Sequence, residues 1–147
     1  MNKPEKPRAP RRDVYRTFVP ITLRWSDNDA YGHVNNVVYY SFFDTAVNQL
    51  LIEAGALDIG HSDTVGLVVE TRCTYFASLT YPGRIEVGVN VARIGRSSVV
   101  YDLGIFDAGA DAAAARGDFT HVYVARATQT PVAIPAAHRQ LMETLRA

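Results

Sequence analysis

The chain has 147 residues, 48% hydrophobic and 20% charged, with a formal net charge of +0, which fits one globular domain whose core needs neither disulfide nor metal. The zero net charge argues against a nucleic-acid binder working by bulk electrostatics, and the single cysteine, Cys73, excludes an internal disulfide or a thiolate metal cluster. No apolar run reaches membrane-spanning length and the N-terminus lacks a signal-peptide core, so the expected location is the cytoplasm, with no membrane partner.

Residues Met1 to Arg16 are rich in proline and basic side chains and read as a disordered tail. Residues 17–147 then read as a single domain closed by a short C-terminal helix. Thr17 to Trp25 is rich in β-formers and reads as a first strand. A long helix follows over Asn36 to Ala54, ended by Gly55 as a left-handed cap. Its polar residues Ser41, Asp44, Thr45 and Asn48 fall on one narrow stripe, and most of the remaining circumference is apolar. A helix covered over most of its circumference is a buried one, so a sheet is expected to wrap it.

Four further strands are expected in a meander: Val65 to Leu79, Arg84 to Ile94, Ser98 to Phe106, and a last one ending near Arg126. Ile85, Val87, Val89 and Val91 share one face of the second, and Val99, Tyr101, Leu103 and Ile105 one face of the third. Pro135 opens the terminal helix. One helix with an antiparallel sheet of about five strands is an α+β domain.

The chemistry concentrates in the turn Asp27-Asn28-Asp29-Ala30-Tyr31-Gly32-His33-Val34-Asn35-Asn36, between first strand and helix. A polar cluster at such a junction is costly unless solvated, hydrogen-bonded or used. Asn35 is suited to cap the helix, which makes Asn36 its first residue, with an amide no intrahelical carbonyl reaches. That amide, at the positive end of the helix dipole, can polarise a carbonyl or hold an oxyanion. Asp29 can fold back towards it across Gly32, giving a carboxylate beside a preorganised donor, the parts acyl transfer needs. The competing reading is that these aspartates merely cap the turn. It is preferred for Asp27 and evenly balanced for Asp29.

Arg24-Trp25-Ser26-Asp27-Asn28-Asp29, then Gly32-His33-Val34-Asn35-Asn36 with Tyr39 or Tyr40, then Pro82-Gly83-Arg84 and Gly95-Arg96-Ser97-Ser98 resemble the 4-hydroxybenzoyl-CoA thioesterase family of the hotdog fold. The likeness covers roughly Thr17 to Ala127. It implies a sheet wrapped around a central helix, two subunits paired edge to edge, and acyl-CoA hydrolysis at their interface. Carried over by position, it implies Asp29 as the catalytic carboxylate, the Asn36 amide as donor to the thioester carbonyl, and Arg93, Arg96 and Ser97 as contacts to the CoA phosphates. The turn is also similar to the Asp-turn of plant acyl-ACP thioesterases. That likeness brings in His33 as a third catalytic candidate, although Tyr31 stands where those enzymes have asparagine, and a packing role for His33 is its rival.

The resulting expectation is an acyl-CoA thioesterase, a homodimer or tetramer of dimers acting on a CoA or acyl-carrier-protein thioester. It would need no metal and no separate cofactor, since CoA is part of the substrate. Tyr39, Tyr40 and Phe43 are candidates to line the acyl pocket. The rival functions are a non-catalytic acyl-thioester binder, a hydratase or dehydratase of the same architecture, and a purely structural dimerisation domain.

Overall fold

The computed structural model describes residues 2–147 and contains β1 (Thr17–Thr22), α1 (Val38–Glu53), β2 (Thr64–Tyr75), β3 (Arg84–Ile94), β4 (Ser98–Asp107), β5 (Ala115–Ala125) and α2 (Ala136–Thr144). The strands form one antiparallel sheet in the order β1-β3-β4-β5-β2, wrapped around α1. This is the expected hotdog arrangement.

The alternating strands place their apolar faces as the pattern requires. Ile85, Val87, Val89 and Val91 of β3 and Val99, Tyr101, Leu103 and Ile105 of β4 are all buried in the core beneath α1. From the helix, Tyr39, Phe42, Phe43, Ala46, Val47 and Leu51 fill the same core, while Ser41, Asp44 and Thr45 stay exposed. Gly55, at φ 70°, ends α1, with the amides of Gly55 and Ala56 donating to Ile52 and Leu51 carbonyls.

Three boundaries and one connection differ from expectation; β2 stops at Tyr75 rather than Leu79. The first strand stops at Thr22, because Trp25–Asp27 forms a single 3-10 turn closed by Asp27. The helix starts at Val38 rather than Asn36. The meander holds for β3, β4 and β5 only: β2 does not pair with the β3 that follows it but crosses to the far edge beside β5.

The expected disordered tail includes Met1, which lies outside the described residues. Its final part packs against the outer face of the sheet. The Ala113 amide donates to the Pro10 carbonyl at 2.9 Å, and the Arg12 amide to the Asp111 carbonyl at 3.0 Å. Tyr15 is buried with Phe18 and Phe106. The physical cause is a slot: Gly88 and Gly104 lie directly opposite each other on β3 and β4, and a Cβ on either would come within 2.6 Å of the Tyr15 ring. The Tyr15 hydroxyl reaches Asp102, which also pairs with Arg116 at 2.9 Å.

Replacing Tyr15 by Ala should therefore lower stability by about 3 kcal/mol, the cost of emptying an aromatic slot. Removing residues 1–9 should change it by less than about 0.5 kcal/mol. Urea denaturation midpoints of the two variants check both outcomes.

Candidate active site

Asp27 is the structural anchor of the polar turn. It is 1% exposed, and its carboxylate accepts the Arg24 amide at 2.7 Å and the Arg24 guanidinium at 3.0 Å. Its carbonyl accepts the Asn35 amide at 2.9 Å. The turn is sewn to the segment before β3 by the Val34 amide, which donates to the Leu79 carbonyl at 2.8 Å, and by Asn28, whose side-chain oxygen accepts the Tyr81 amide at 3.0 Å.

Asn35 is not the helix N-cap but lies two residues before it. Its side-chain oxygen accepts the Val37 amide at 3.2 Å and its carbonyl the Val38 amide at 2.9 Å, so it closes a turn that feeds the helix. Val37 is the N-cap residue, without a side-chain cap bond. Asn36 lies outside the helix, and its carbonyl accepts the Tyr75 hydroxyl at 2.7 Å. Among the described residues no acceptor meets the Asn36 amide. It sits beside a cavity of about 300 Å³ between this turn and the end of β2.

His33, Asn36 and Tyr39 line that cavity together with Tyr75 and the following Phe76 to Ser78. Asp29 is on the adjoining turn, half-exposed and outside the cavity lining. One of its oxygens accepts the Tyr31 amide at 2.8 Å, and its own amide donates to the His33 carbonyl at 2.8 Å. Its other oxygen has no partner among the described residues. Asp29 thus also serves as a turn cap, with one oxygen left over.

Arg93, Arg96 and Ser97 are not brought to this cavity within one chain. They lie at the β3–β4 hairpin, a strand length of roughly 35 Å from the β3 start beside which the Asp29 turn packs. There the Arg96 and Ser97 carbonyls accept the Ile134 and Tyr123 amides, and the side chains of Arg93 and Arg96 are exposed. Neither arginine forms an ion pair among the described residues.

Of the aromatic residues expected to line a pocket, only Tyr39 does; Phe43 is fully buried core and Tyr40 packs against it. Tyr75 was not anticipated. Its parity with Cys73 in β2 marks it as facing the helix, but its meeting with Asn36 joins residues 39 positions apart. Burial raises the Tyr39 phenol to about 12, with Cys73 adding, and burial likewise raises the Cys73 thiol and the Tyr75 phenol. All three are uncharged hydrogen-bonding groups at neutral pH.

A second cavity, of about 350 Å³, lies at the other end of α1, lined among others by Asn48, Leu51, Gly66, His121, Tyr123 and His138. The last three are buried. Burial lowers the His121 pKa to about 4, with His138 acting in the same direction and Asp44 opposing. Burial also lowers His138. Among the described residues no group of three or more His, Cys, Asp or Glu side chains is arranged to hold a metal ion, and no helix is long and apolar enough to cross a membrane.

Residues 23–142 match the thioesterase-like superfamily. The chain belongs to that superfamily. The match is to the superfamily as a whole, broader than the 4-hydroxybenzoyl-CoA group. No curated protein matches the sequence. Among solved structures, the PA5185 protein of Pseudomonas aeruginosa is similar at 53% identity, covering 96% of this chain and 98% of its own, with a TM-score of 0.93. The 1,4-dihydroxy-2-naphthoyl-CoA thioesterase Slr0204 of Synechocystis shares the fold at 18% identity, covering 85% and 93%, with a TM-score of 0.78. A DHNA-CoA thioesterase of Staphylococcus aureus does so at 20% identity, covering 87% of each chain, with a TM-score of 0.76. Against this superfamily background the first cavity, beside the open Asn36 amide just ahead of the helix, is the candidate active site.

The second cavity carries a pH consequence. An unfolded imidazole takes its proton near 6.5, whereas folded His121 resists it down to about 4. Stability is full above the higher value and is lost as pH falls towards the lower one, because the unfolded chain binds the extra proton. The loss attributable to His121 should reach about 3 kcal/mol at most. Unfolding free energies of wild type and His121→Phe between these pH values should diverge by that amount, with the variant the less acid-sensitive.

Proposed function

We propose that the protein hydrolyses an acyl-CoA thioester to a carboxylic acid and CoA. The observation that carries this reading is the Asn36 amide, unpartnered, just ahead of the N-terminal end of α1 on a residue that lines a cavity. A thioester carbonyl seated there accepts that N–H. As the carbonyl becomes tetrahedral, the developing oxyanion gains more from the donor than the ground state did, a contribution of about 3 kcal/mol for one good donor. Tyr39 and Tyr75, held protonated, supply further polar lining without adding charge. Superfamily membership supports the same chemistry.

Asp29 is the proposed carboxylate. It attacks the carbonyl to form a mixed anhydride, or it takes a proton from the water that attacks. Its free oxygen supports this role, while both Asp27 oxygens are occupied by Arg24. His33 lines the cavity and is proposed to orient substrate, its carbonyl tying it to Asp29.

The site is proposed to be completed by a second copy of the chain through β2. That edge strand runs 12 residues without proline, and its Leu67, Val68 and Val69 are exposed, whereas the opposite edge strand β1 is 6 residues long and contains Pro20. Antiparallel pairing of two β2 strands sets Thr64 of one copy near Tyr75 of the other. It also brings the Arg93, Arg96 and Ser97 end of one copy towards the Asn36 turn of the second, where CoA phosphates would meet them.

The position of Asp29 outside the cavity lining favours one competing reading, a non-catalytic acyl-thioester binder on the same fold. A panel of short, long, branched and aromatic acyl-CoA esters separates the two. The wild type should hydrolyse at least one ester, and Asp29→Asn should lower kcat by about 10²- to 10⁴-fold while folding and ester binding persist. Near-normal turnover in the variant removes Asp29 from the mechanism. Binding without turnover by the wild type supports the binder.

A further inference from the structure

His121 and His138 are 3% and 4% exposed, both line the second cavity, and neither imidazole makes a hydrogen bond among the described residues. Nδ1 of each ring is sealed, whereas Nε2 is not sealed and makes no hydrogen bond, so Nε2 is the atom that a ligand in the cavity can reach. The rings are also held in place. His121 packs edge-on against Phe119 at 4.9 Å and His138 against Tyr123 at 5.2 Å between ring centres. The sheet edge crosses above them at Gly66, where a Cβ would stand 3.3 Å from Tyr123 and 3.5 Å from His121 Nδ1.

The protonation pattern follows from which nitrogen is sealed. Nδ1 of each ring is buried without a partner. A proton there would be an orphaned donor, the rarer and costlier defect, so the proton sits on Nε2. Both rings are neutral near pH 7, since burial disfavours their charged forms. The cavity therefore offers N–H donors among the apolar side chains of Leu51, Leu57, Ile59 and Val65. Its partner is an oxygen acceptor. A carboxylate is disfavoured, because uncharged donors do not repay the desolvation of an ion. Arg126 at the rim donates its Nε to the Ser62 carbonyl at 2.8 Å, and Asp58 in the same lining carries the opposite charge.

We propose that this cavity receives the far end of the acyl group, and that His121 and His138 select acyl groups carrying an uncharged hydroxyl or oxo oxygen there. The inference rests on the thioesterase reading and on pairing through β2. Within one chain Asn36 and Asn48 lie 12 residues apart, about 18 Å along the helix direction, too far for a thioester at Asn36 to enter its own second cavity by a short chain. Across two antiparallel β2 strands, the cavity beside Thr64 and Gly66 abuts the Asn36 turn of the second copy, which Tyr75 holds.

The test uses the full chain and two non-hydrolysable thioethers, S-octyl-CoA and S-(ω-hydroxyoctyl)-CoA, titrated by calorimetry, beside hydrolysis of octanoyl-CoA and ω-hydroxyoctanoyl-CoA. The wild type should bind the hydroxylated thioether about tenfold more tightly, the scale of one well-placed hydrogen bond. In His121→Phe that preference should disappear or reverse while the melting temperature holds or rises, because an unpartnered polar ring has been replaced by an apolar one. His138→Phe is the second variant should the first fold poorly. Equal binding of the two thioethers by the wild type, binding of neither, or an unchanged preference in both variants overturns the inference. A clear thioether preference with neither thioester hydrolysed upholds the cavity assignment and leaves the thioesterase reading to be decided by the wider ester panel. Hydrolysis of both esters at equal rates with equal thioether binding upholds the thioesterase reading and removes the cavity assignment.

Discussion

The contact between Phe43 of α1 and Gly117 of β5 sets the depth at which the helix lies in the sheet. A Cβ at Gly117 would fall 2.5 Å from the Phe43 ring and 2.5 Å from the Arg72 carbonyl. With no side chain there, Phe43 reaches the strand backbone and is fully buried. So close an approach leaves the flanks of the helix covered by core and exposes chiefly its polar stripe and its two ends. Everything of chemical interest in the molecule is at those ends.

At the N-terminal end the accounting of polar groups separates two neighbouring parts of one turn. Asp27 is buried and satisfied, and it holds the turn shut. The Asn36 amide is left open because Asn36 precedes the helix, where no intrahelical carbonyl reaches it, and the Tyr75 hydroxyl bonds its carbonyl. A donor that stays unpaired beside a helix N-terminus is already oriented before any substrate arrives, and preorganisation of that kind gives such a group its value. Asp29 stands between the two cases, one oxygen engaged by the backbone and one free.

The C-terminal end of α1 carries a different polarity. There the unsatisfied groups are neutral aromatic nitrogens in a half-apolar cavity at the free edge of the sheet. The two ends are too far apart to serve one small molecule within a single chain. The exposed β2 edge, running between them, is the element through which a second copy would bring one end to the other.

The amino-acid sequence by itself determined the element order, the buried helix with its polar stripe, the apolar faces of β3 and β4, and the polar turn as the place where chemistry concentrates. These are local properties: a period of two or 3.6, a glycine after a helix, a run of Asx residues. Asp27 as an anchor was legible for the same reason, since its partner Arg24 is three residues away. The tertiary structure alone decided the rest. Tyr15 belongs to the folded body because Gly88 and Gly104 meet across two strands. Arg93, Arg96 and Ser97 lie at the opposite end of β3 from the Asp29 turn. Tyr75 reaches Asn36 only once β2 has crossed to the edge beside β5, and His121 and His138 come to one cavity only once α2 has docked. Each of these depends on which strand lies beside which, and pairing between distant segments leaves no period in the chain for a reader to find.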